Sequence, residues 1–284
     1  MIDLNNLKFV QEDRKKEHFY ASDFGKPLID LYFAFTDEPI TNPPEWYETL
    51  KWGSGKGVET AMLDILKMNG IVKEDYDQKE HGRIEHKYKG IQINGYIDAL
   101  SIDGYPIEIK SINNKNVYDI GKYEAGNPRE NYVGQLATYM EAKGEKRGFL
   151  FVASIDGLNY FWFECLAQGN GIYKCGNVVV DLYKEWDRWC DLFDKLDKPL
   201  SKEIIMEFRY KYPVKEIDWH TVSATDISKA RNGHKVLGDW QPLYSPWKNK
   251  IVKLQGDVLG YTQEEMNEIM TKTDGYTTWK KLKN

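Results

Sequence analysis

GYIDALSIDGYPIEIKS, residues 95–111, contains two strand patterns separated by a turn. Residues 91–100 and 105–112 carry the alternation of β-branched and aromatic residues that is typical of strands. The four residues between them, Ser-Ile-Asp-Gly at 101–104, are typical of a tight turn. We therefore predict an antiparallel hairpin over this stretch.

The second strand of the hairpin carries a Glu-Ile-Lys triplet. Side chains on a strand alternate between its two faces, so Glu108 and Lys110 share one face while Ile109 points to the other. If the register places Asp98 opposite them, two carboxylates and an ammonium converge on one point. Two carboxylates and a backbone carbonyl are ligands that Mg²⁺ or Mn²⁺ prefers. The alternative is a surface Glu-Lys pair with a turn aspartate, and the triplet alone does not choose between them.

Three motifs together resemble the PD-(D/E)XK nucleases. Ile97-Asp98 followed by Glu108-Ile109-Lys110 is similar to the motif that names them, with Ile in place of the usual Pro. Gln135 and Tyr139 match the Gln-x-x-x-Tyr motif of the RecB-type exonuclease branch, and Gly55 to Glu59 stands where that branch carries Gly-x-x-x-His. The resemblance covers roughly residues 18–167. The branch includes nuclease domains of RecB and AddB, the CRISPR adaptation nucleases and many phage recombination exonucleases.

The resemblance implies a fold, a reaction and a role for each motif residue. The implied fold is α/β, a restriction-endonuclease-like core with a mixed central sheet flanked by helices. The implied reaction is metal-dependent hydrolysis of DNA phosphodiester bonds. The implied roles are metal binding by Asp98, Glu108 and the Ile109 carbonyl with Glu59 as a further ligand, water activation by Lys110, and ordering of the phosphate by Gln135 and Tyr139. For Glu59 the alternative is an ordinary first-turn glutamate favoured by the helix dipole.

Length, charge and hydropathy limit the class of protein. At 284 residues we expect one domain with an appendage, here a nuclease core over 1–198 and an extension over 199–284 that packs back on the N-terminal helical region. The net charge of −5 disfavours a protein that coats nucleic acid electrostatically, but it is compatible with a nuclease whose metal supplies positive charge. Because no long apolar run is found, we expect a cytoplasmic protein that does not associate with a membrane.

The cysteines do not predict a disulfide framework, a zinc site or an iron-sulfur cluster. Cys165, Cys175 and Cys190 lack Cys-x-x-Cys spacing. Residues 241–251 resemble the C-terminal segment that ligates an iron-sulfur cluster in AddB-type and CRISPR-type relatives. Pro242, Ser245 and Ile251 stand at the ligand positions. We therefore expect no iron-sulfur cluster, because four thiolates are the usual requirement.

The segment GSGKG at 53–57 resembles a phosphate-binding loop. The full pattern requires Gly at 50 and Ser or Thr at 57, where the chain has Leu50 and Gly57. We therefore exclude a nucleoside triphosphate site. The glycines are instead expected to allow close approach of a helix to the sheet or to a DNA backbone.

The remaining patterns predict further helices, strands and one long loop. Helices are expected over 19–36 with Ser22 and Asp23 at its start, over 54–68, from Asn127-Pro128 to Lys143, and over 177–197 with a stripe of core tryptophans. Strands are expected over 83–89, with His81, Glu85 and His86 facing solvent, and over 147–154 and 158–166. Residues 115–127 are expected to form a loop that acts as a lid or guides a DNA strand.

These expectations combine into one functional hypothesis with two alternatives. The hypothesis is an end-dependent DNA exonuclease of phage or mobile-element recombination, replication or repair, acting on DNA that is single-stranded or has free ends. The protein partner that we expect is a single-strand annealing protein or a helicase. The alternatives are an endonuclease on the same core and a catalytically silent DNA-binding or scaffold protein.

Overall fold

The computed structural model describes residues 15–43, 46–112, 117–155, 157, 159–208, 245–260 and 262–264. The described chain divides into two compact units. The first contains residues 17–25 and 46–194, and the second contains the other described residues. The boundary expected at residue 198 stays a prediction. No helix of the described ranges is long and apolar enough to cross a membrane.

The described residues form nine strands and eight α-helices, numbered in chain order. The strands are β1 (Phe19–Tyr20), β2 (Arg83–Tyr88), β3 (Ile91–Tyr96), β4 (Ala99–Leu100), β5 (Pro106–Ile112), β6 (Arg147–Ser154), β7 (Tyr160–Gly169), β8 (Ile172–Cys175) and β9 (Val178–Asp181). The helices are α1 (Leu28–Phe35), α2 (Trp46–Met68), α3 (Gln78–His81), α4 (Val117–Glu124), α5 (Glu130–Lys143), α6 (Leu182–Phe193), α7 (Lys202–Phe208) and α8 (Lys248–Leu259).

The first unit is built on two sheets. A six-stranded sheet has the order β4-β5-β6-β7-β8-β9, and a three-stranded sheet has the order β1-β3-β2. In the larger sheet β5 and β6 are parallel and the other pairs are antiparallel. Helix α2 packs on one face of β5, through Met62 and Leu66 against Ile107 and Ile109, and α5 packs on the other face of β5 and β6. The predicted α/β class, a mixed sheet flanked by helices, is confirmed.

The predicted hairpin is present but shorter than expected. Ala99 pairs with Ile107 and Leu100 with Pro106 in an antiparallel ladder. The first strand, expected over 91–100, is interrupted at Ile97 and Asp98, because Ile97 bonds outside the ladder. Its N–H donates to the Gly82 carbonyl at 2.7 Å and its carbonyl accepts from the Tyr76 hydroxyl at 2.7 Å. Strand β3 therefore belongs to the smaller sheet and β4 to the larger one.

The first two helices of the chain begin at residues other than those predicted. The helix expected over 19–36 begins only at Leu28, after Pro27, and Ala21–Asp23 form a 3₁₀ turn. Asp23 serves that turn instead, because its carboxylate accepts a hydrogen bond from the Tyr20 N–H at 2.7 Å. Helix α2 begins at Trp46, well before residue 54, so the glycines at 53–57 lie in its interior.

The loop expected over 115–127 is largely helical. Helix α4 fills Val117–Glu124, and Tyr123 is buried with its ring stacked on Phe161 at 5.3 Å. A side chain held in this way is part of the core. Tyr123 therefore does not belong to a lid, and the lid interpretation of the segment is wrong for this residue. Residues 115 and 116 of the predicted loop lie outside the described residues.

The helix expected over 177–197 begins at Leu182, because two short strands, β8 and β9, precede it. Asp181 caps the helix, its carboxylate accepting from the Lys184 N–H at 3.0 Å. Trp186 and Trp189 are fully buried, and Trp189 stacks on Phe19 at 5.0 Å. The interpretation of the tryptophans as core packing is confirmed.

His86 was expected to face solvent, and this is wrong. It is half-buried on β2, and its ring lies 5.1 Å from that of Trp186. Burial lowers the pKa of His86, and the Glu141 carboxylate partly offsets this.

Contacts within the second unit join its N-terminal and C-terminal segments. The Ser245 hydroxyl donates to Asp30 Oδ1 at 2.8 Å, and Trp247 Nε1 donates to the Glu38 carbonyl at 2.9 Å. Pro242 lies outside the described residues. The expected absence of an iron-sulfur cluster stays a prediction.

Candidate active site

Strand β5 positions the acidic and basic groups of the predicted triplet. Ile109 is buried in the cluster formed with α2, so the alternation of the strand turns Glu108 and Lys110 to the other face. The Glu108 side chain is fully buried and that of Lys110 is 21% exposed, and the ammonium forms an ion pair with Glu108 Oε1. The predicted shared face of Glu108 and Lys110 is found.

Asp98 approaches this pair from the junction between β3 and β4. The pairing of Ala99 with Ile107 places Asp98 opposite Glu108 in the same register. Asp98 Oδ2 accepts a hydrogen bond from the Ile109 N–H at 2.9 Å, and Oδ1 accepts from Gln78 Nε2 at 3.0 Å. The carboxylate is therefore held on both oxygens, and it meets Glu108 and Lys110 as the sequence predicts.

Asp98, Glu108 and Lys110 bring two negative charges close to one positive charge, and this shifts the pKa of all three groups. Burial raises the pKa of Glu108 well above its usual range, and the Asp98 charge raises it further. Burial also raises the pKa of Asp98, although Lys110 and the Ile109 N–H act in the opposite direction. Burial alone would lower the pKa of Lys110, but the charges of Glu108 and Asp98 outweigh it and the pKa is raised. The Lys110 ammonium thus remains charged, but its single positive charge does not balance the two carboxylates of Asp98 and Glu108.

Glu59 reaches the same region from α2. It is half-buried, accepts a hydrogen bond from the Ser111 backbone N–H, and interacts electrostatically with Lys110 and Asp98. Burial is the largest cause of the raised pKa of Glu59. Gly55 makes this approach possible, since a Cβ there would lie 2.8 Å from Ser111 Oγ. The expected close approach of a glycine in this helix to the sheet is found at Gly55.

Helix α5 supplies the two residues of the Gln-x-x-x-Tyr motif. Gln135 and Tyr139 are both buried, and Gln135 Nε2 donates to the Tyr139 hydroxyl at 2.8 Å. The pKa of Tyr139 is raised well above its usual range, first by burial and then by the charges of Glu108 and Asp98. The phenol therefore faces the acidic pair and keeps its proton.

Three residues at this site were not predicted from the sequence. Gln78 bonds Asp98, and Tyr76 supports the junction at Ile97. Tyr132 lies with its ring centroid 5.6 Å from Lys110 Nζ. Tyr132 precedes Gln135 by one helical turn, so it shares a face with the motif, and this spacing was the available signal. No pattern in the sequence connects Gln78 to Asp98.

The donor atoms fit a divalent cation at Asp98 and Glu108. Apart from the Lys110 ammonium, neither oxygen of the buried Glu108 carboxylate has a hydrogen-bond donor within the described residues. A buried carboxylate without donors is costly unless a cation compensates it. No group of three or more His, Cys, Asp or Glu side chains in the described ranges is already arranged to hold a metal. The metal set consisting of Asp98, Glu108, Ile109 and Glu59 stays a prediction.

Comparisons with known proteins give structural similarities at low identity. No family model matches the chain. No curated protein matches it either. It is similar to the crystal structure of SSO0001, at 14% identity over 78% of this chain and 91% of that chain, with a TM-score of 0.40. It is also similar to an alkaline exonuclease, LHK-Exo, from Laribacter hongkongensis. The identity is 17% over 63% of this chain and 88% of that chain, with a TM-score of 0.42. It is similar to the structure of LHK-Exo in complex with dAMP at 18% identity, over 63% of this chain and 88% of that chain, with a TM-score of 0.42.

Proposed function

We propose that this chain is a nuclease of the PD-(D/E)XK type that hydrolyses DNA phosphodiester bonds with Mg²⁺ or Mn²⁺. The proposal rests on the meeting of Asp98 and Glu108, with Lys110 ion-paired to a buried carboxylate that lacks other donors. A structural ion pair is normally more exposed or more completely hydrogen-bonded. Burying the Glu108 carboxylate in this way destabilises the folded protein, and groups of this kind are found mostly in functional sites.

The metal would be held by Asp98, Glu108 and the Ile109 carbonyl, with Glu59 as a further ligand. When bound, it would supply Lewis-acid stabilisation of the charge that develops on the phosphate oxygens. Gln78 and the Ile109 N–H orient the Asp98 carboxylate through hydrogen bonds of 3.0 and 2.9 Å. The carboxylate is therefore already placed before any ligand arrives.

The other residues of the site bind and orient the reacting groups. Lys110 carries a charged ammonium, which can donate to the attacking water and hold it. The Tyr139 hydroxyl accepts from Gln135 and keeps its own proton, so it can donate to a phosphate oxygen. Gln135 acts by fixing the direction of that hydroxyl.

We propose cleavage from free DNA ends, as in the RecB-type branch, in the cytoplasm and in phage or mobile-element recombination, replication or repair. The Gln135 and Tyr139 motif supports this choice of branch. A single-strand annealing protein or a helicase is the proposed partner class. The alternatives remain an endonuclease on the same core and a silent DNA-binding protein.

The test compares a linear single strand with a covalently closed circle of the same sequence, with Mg²⁺, with Mn²⁺ and in chelator. We expect degradation of the linear strand only, and only with a divalent cation. Degradation of both at similar rates would favour the endonuclease. Binding of both strands without cleavage of either would favour the silent protein and contradict the proposal.

A further inference from the structure

Lys110 has a long and flexible side chain that must hold its ammonium at one place. A lysine side chain loses much of its rotamer freedom when it is fixed in one position. In the described part of the chain its ammonium is surrounded by the carboxylates of Glu108, Asp98 and Glu59 and by the Tyr132 ring. Of these four groups, the aromatic ring is the one that carries no charge.

The Tyr132 ring is itself held in place. It lies in the first turn of α5, where its N–H donates to the Arg129 carbonyl at 3.0 Å. Its hydroxyl accepts from Arg129 Nη1 at 3.2 Å, and the guanidinium carbon lies 5.5 Å from the ring centroid. The ring is half-buried. Lys110 Nζ lies 5.6 Å from the centroid of this ring.

The two kinds of contact would respond differently to a bound cation. Glu108, Asp98 and Glu59 are the proposed metal ligands, and a carboxylate that shares its charge with a metal attracts an ammonium less strongly. The face of an aromatic ring attracts a cation through its quadrupole, which does not involve the carboxylates. The Tyr132 contact is therefore the one that would persist when the carboxylates are occupied.

We propose that Tyr132 is a positioning residue of this site, whose ring keeps the Lys110 ammonium in place for the reaction. The inference rests on the proposed nuclease function. Tyr132 acts through Lys110 and need not touch DNA. Loss of the ring is expected to slow the bond-breaking step by about tenfold, the size of one cation–π contact in a partly desolvated site.

The kinetic test uses Tyr132→Leu, which removes the ring, and Tyr132→Phe, which keeps the ring without its hydroxyl. Tyr160→Leu is the matched control, because Tyr160 is 74% exposed on β7. We expect Tyr132→Leu to lower kcat on linear DNA about tenfold with KM unchanged, and Tyr132→Phe to stay within about twofold of the unchanged protein. Tyr132→Gln replaces the leucine variant if that variant does not fold.

A second readout is independent of catalysis. In chelator, NMR of protein labelled with ¹³C-lysine should show the Lys110 Cε protons shifted upfield by the ring, with the signal assigned from Lys110→Arg. The shift should disappear in Tyr132→Leu and remain in Tyr132→Phe.

Each other outcome has a defined meaning. An unshifted Lys110 signal, equal loss of kcat in both variants, or a raised KM at unchanged kcat would overturn the inference. An active protein whose Tyr132→Leu variant is equally fast would overturn this inference alone. A protein inactive on all DNA would contradict the proposed function and overturn the positioning role with it, even if an upfield shift that depends on the ring shows that the contact is formed.

Discussion

The Ile109 backbone N–H donates a hydrogen bond of 2.9 Å to Oδ2 of Asp98. This bond joins the two arms of the hairpin at the point where the ladder has ended, since the last ladder pair is Ala99 with Ile107. A carboxylate thus takes the place of a backbone carbonyl. The position of Asp98 relative to Glu108 is therefore set by the hairpin itself.

We expect Asp98→Ala, Glu108→Ala and Lys110→Ala each to reduce DNA hydrolysis to background while the protein still unfolds cooperatively in urea. The carboxylates repel one another and contribute little to packing. Asp103→Ala is the control, because Asp103 is exposed in the turn of the same hairpin and should leave activity unchanged. Full activity in the Asp98 or Lys110 variant would contradict the site assignment.

Divalent cations should raise the thermal unfolding midpoint of the protein, and chelator should reverse the change. A ligand present at 100 times its Kd stabilises the folded state by about 2.7 kcal/mol. Glu108→Gln should lose most of this shift, and in chelator it should be at least as stable as the wild-type protein, because it removes the buried carboxylate that has no donor besides Lys110. Glu164→Gln, on an exposed residue of β7, should keep the shift. An equal shift in Glu108→Gln would exclude a metal at this position.

Gly55→Ala and Gly57→Ala are expected to have opposite effects on the free energy of unfolding. Alanine favours a helix interior by about 1 kcal/mol over glycine. A Cβ at Gly57 meets no atom within 4 Å, so Gly57→Ala should be stabilising. A Cβ at Gly55 would lie 2.8 Å from Ser111 Oγ, so Gly55→Ala should be destabilising and should lower activity by displacing Glu59. Adding Ser111→Ala should restore much of the lost stability in urea titrations.

Stability should fall as the pH is lowered below 6.5, in part because of His86. Burial beside Trp186 lowers the pKa of His86 in the folded protein below its usual value of 6.5. The unfolded state therefore binds the proton first, and stability is lost between pH 6.5 and the lower folded pKa. Urea titrations at several pH values should show a smaller loss in His86→Gln. An unaltered pH profile in His86→Gln would show that another group causes the loss.

The sequence predicted the parts of the site that lie close together along the chain. The turn at 101–104 and the alternation around Ile109 are local signals, and they were sufficient to place Glu108 and Lys110 on one face. The helical spacing of Gln135 and Tyr139 was also sufficient to place them together. Such patterns depend on the period of a strand or helix and need no tertiary information.

The parts that were missed depend on distant contacts. Ile97 belongs to a strand pattern, but its bonds to Gly82 and Tyr76 interrupt the strand. The polar composition of residues 115–127 predicts a loop, although burial of Tyr123 against Phe161 stabilises a helix over Val117–Glu124. Strands β8 and β9 are four residues each and follow glycine-rich turns, so they gave little periodic signal.

The parallel pairing of β5 with β6, in which Glu108 lies beside Leu150, has a consequence for the order of folding. Parallel neighbours require a crossover, and here the crossover contains α5, with Tyr132, Gln135 and Tyr139. Closing a loop of this length lowers the chain entropy before the strand contacts that offset this loss can form. Strands that are far apart in sequence therefore pair slowly. The hairpin that holds Asp98 and Glu108 can form early from local contacts, whereas the helix that completes the site arrives only when the crossover closes. During refolding, DNA cleavage should therefore return in the phase in which β5 pairs with β6, after the hairpin has formed.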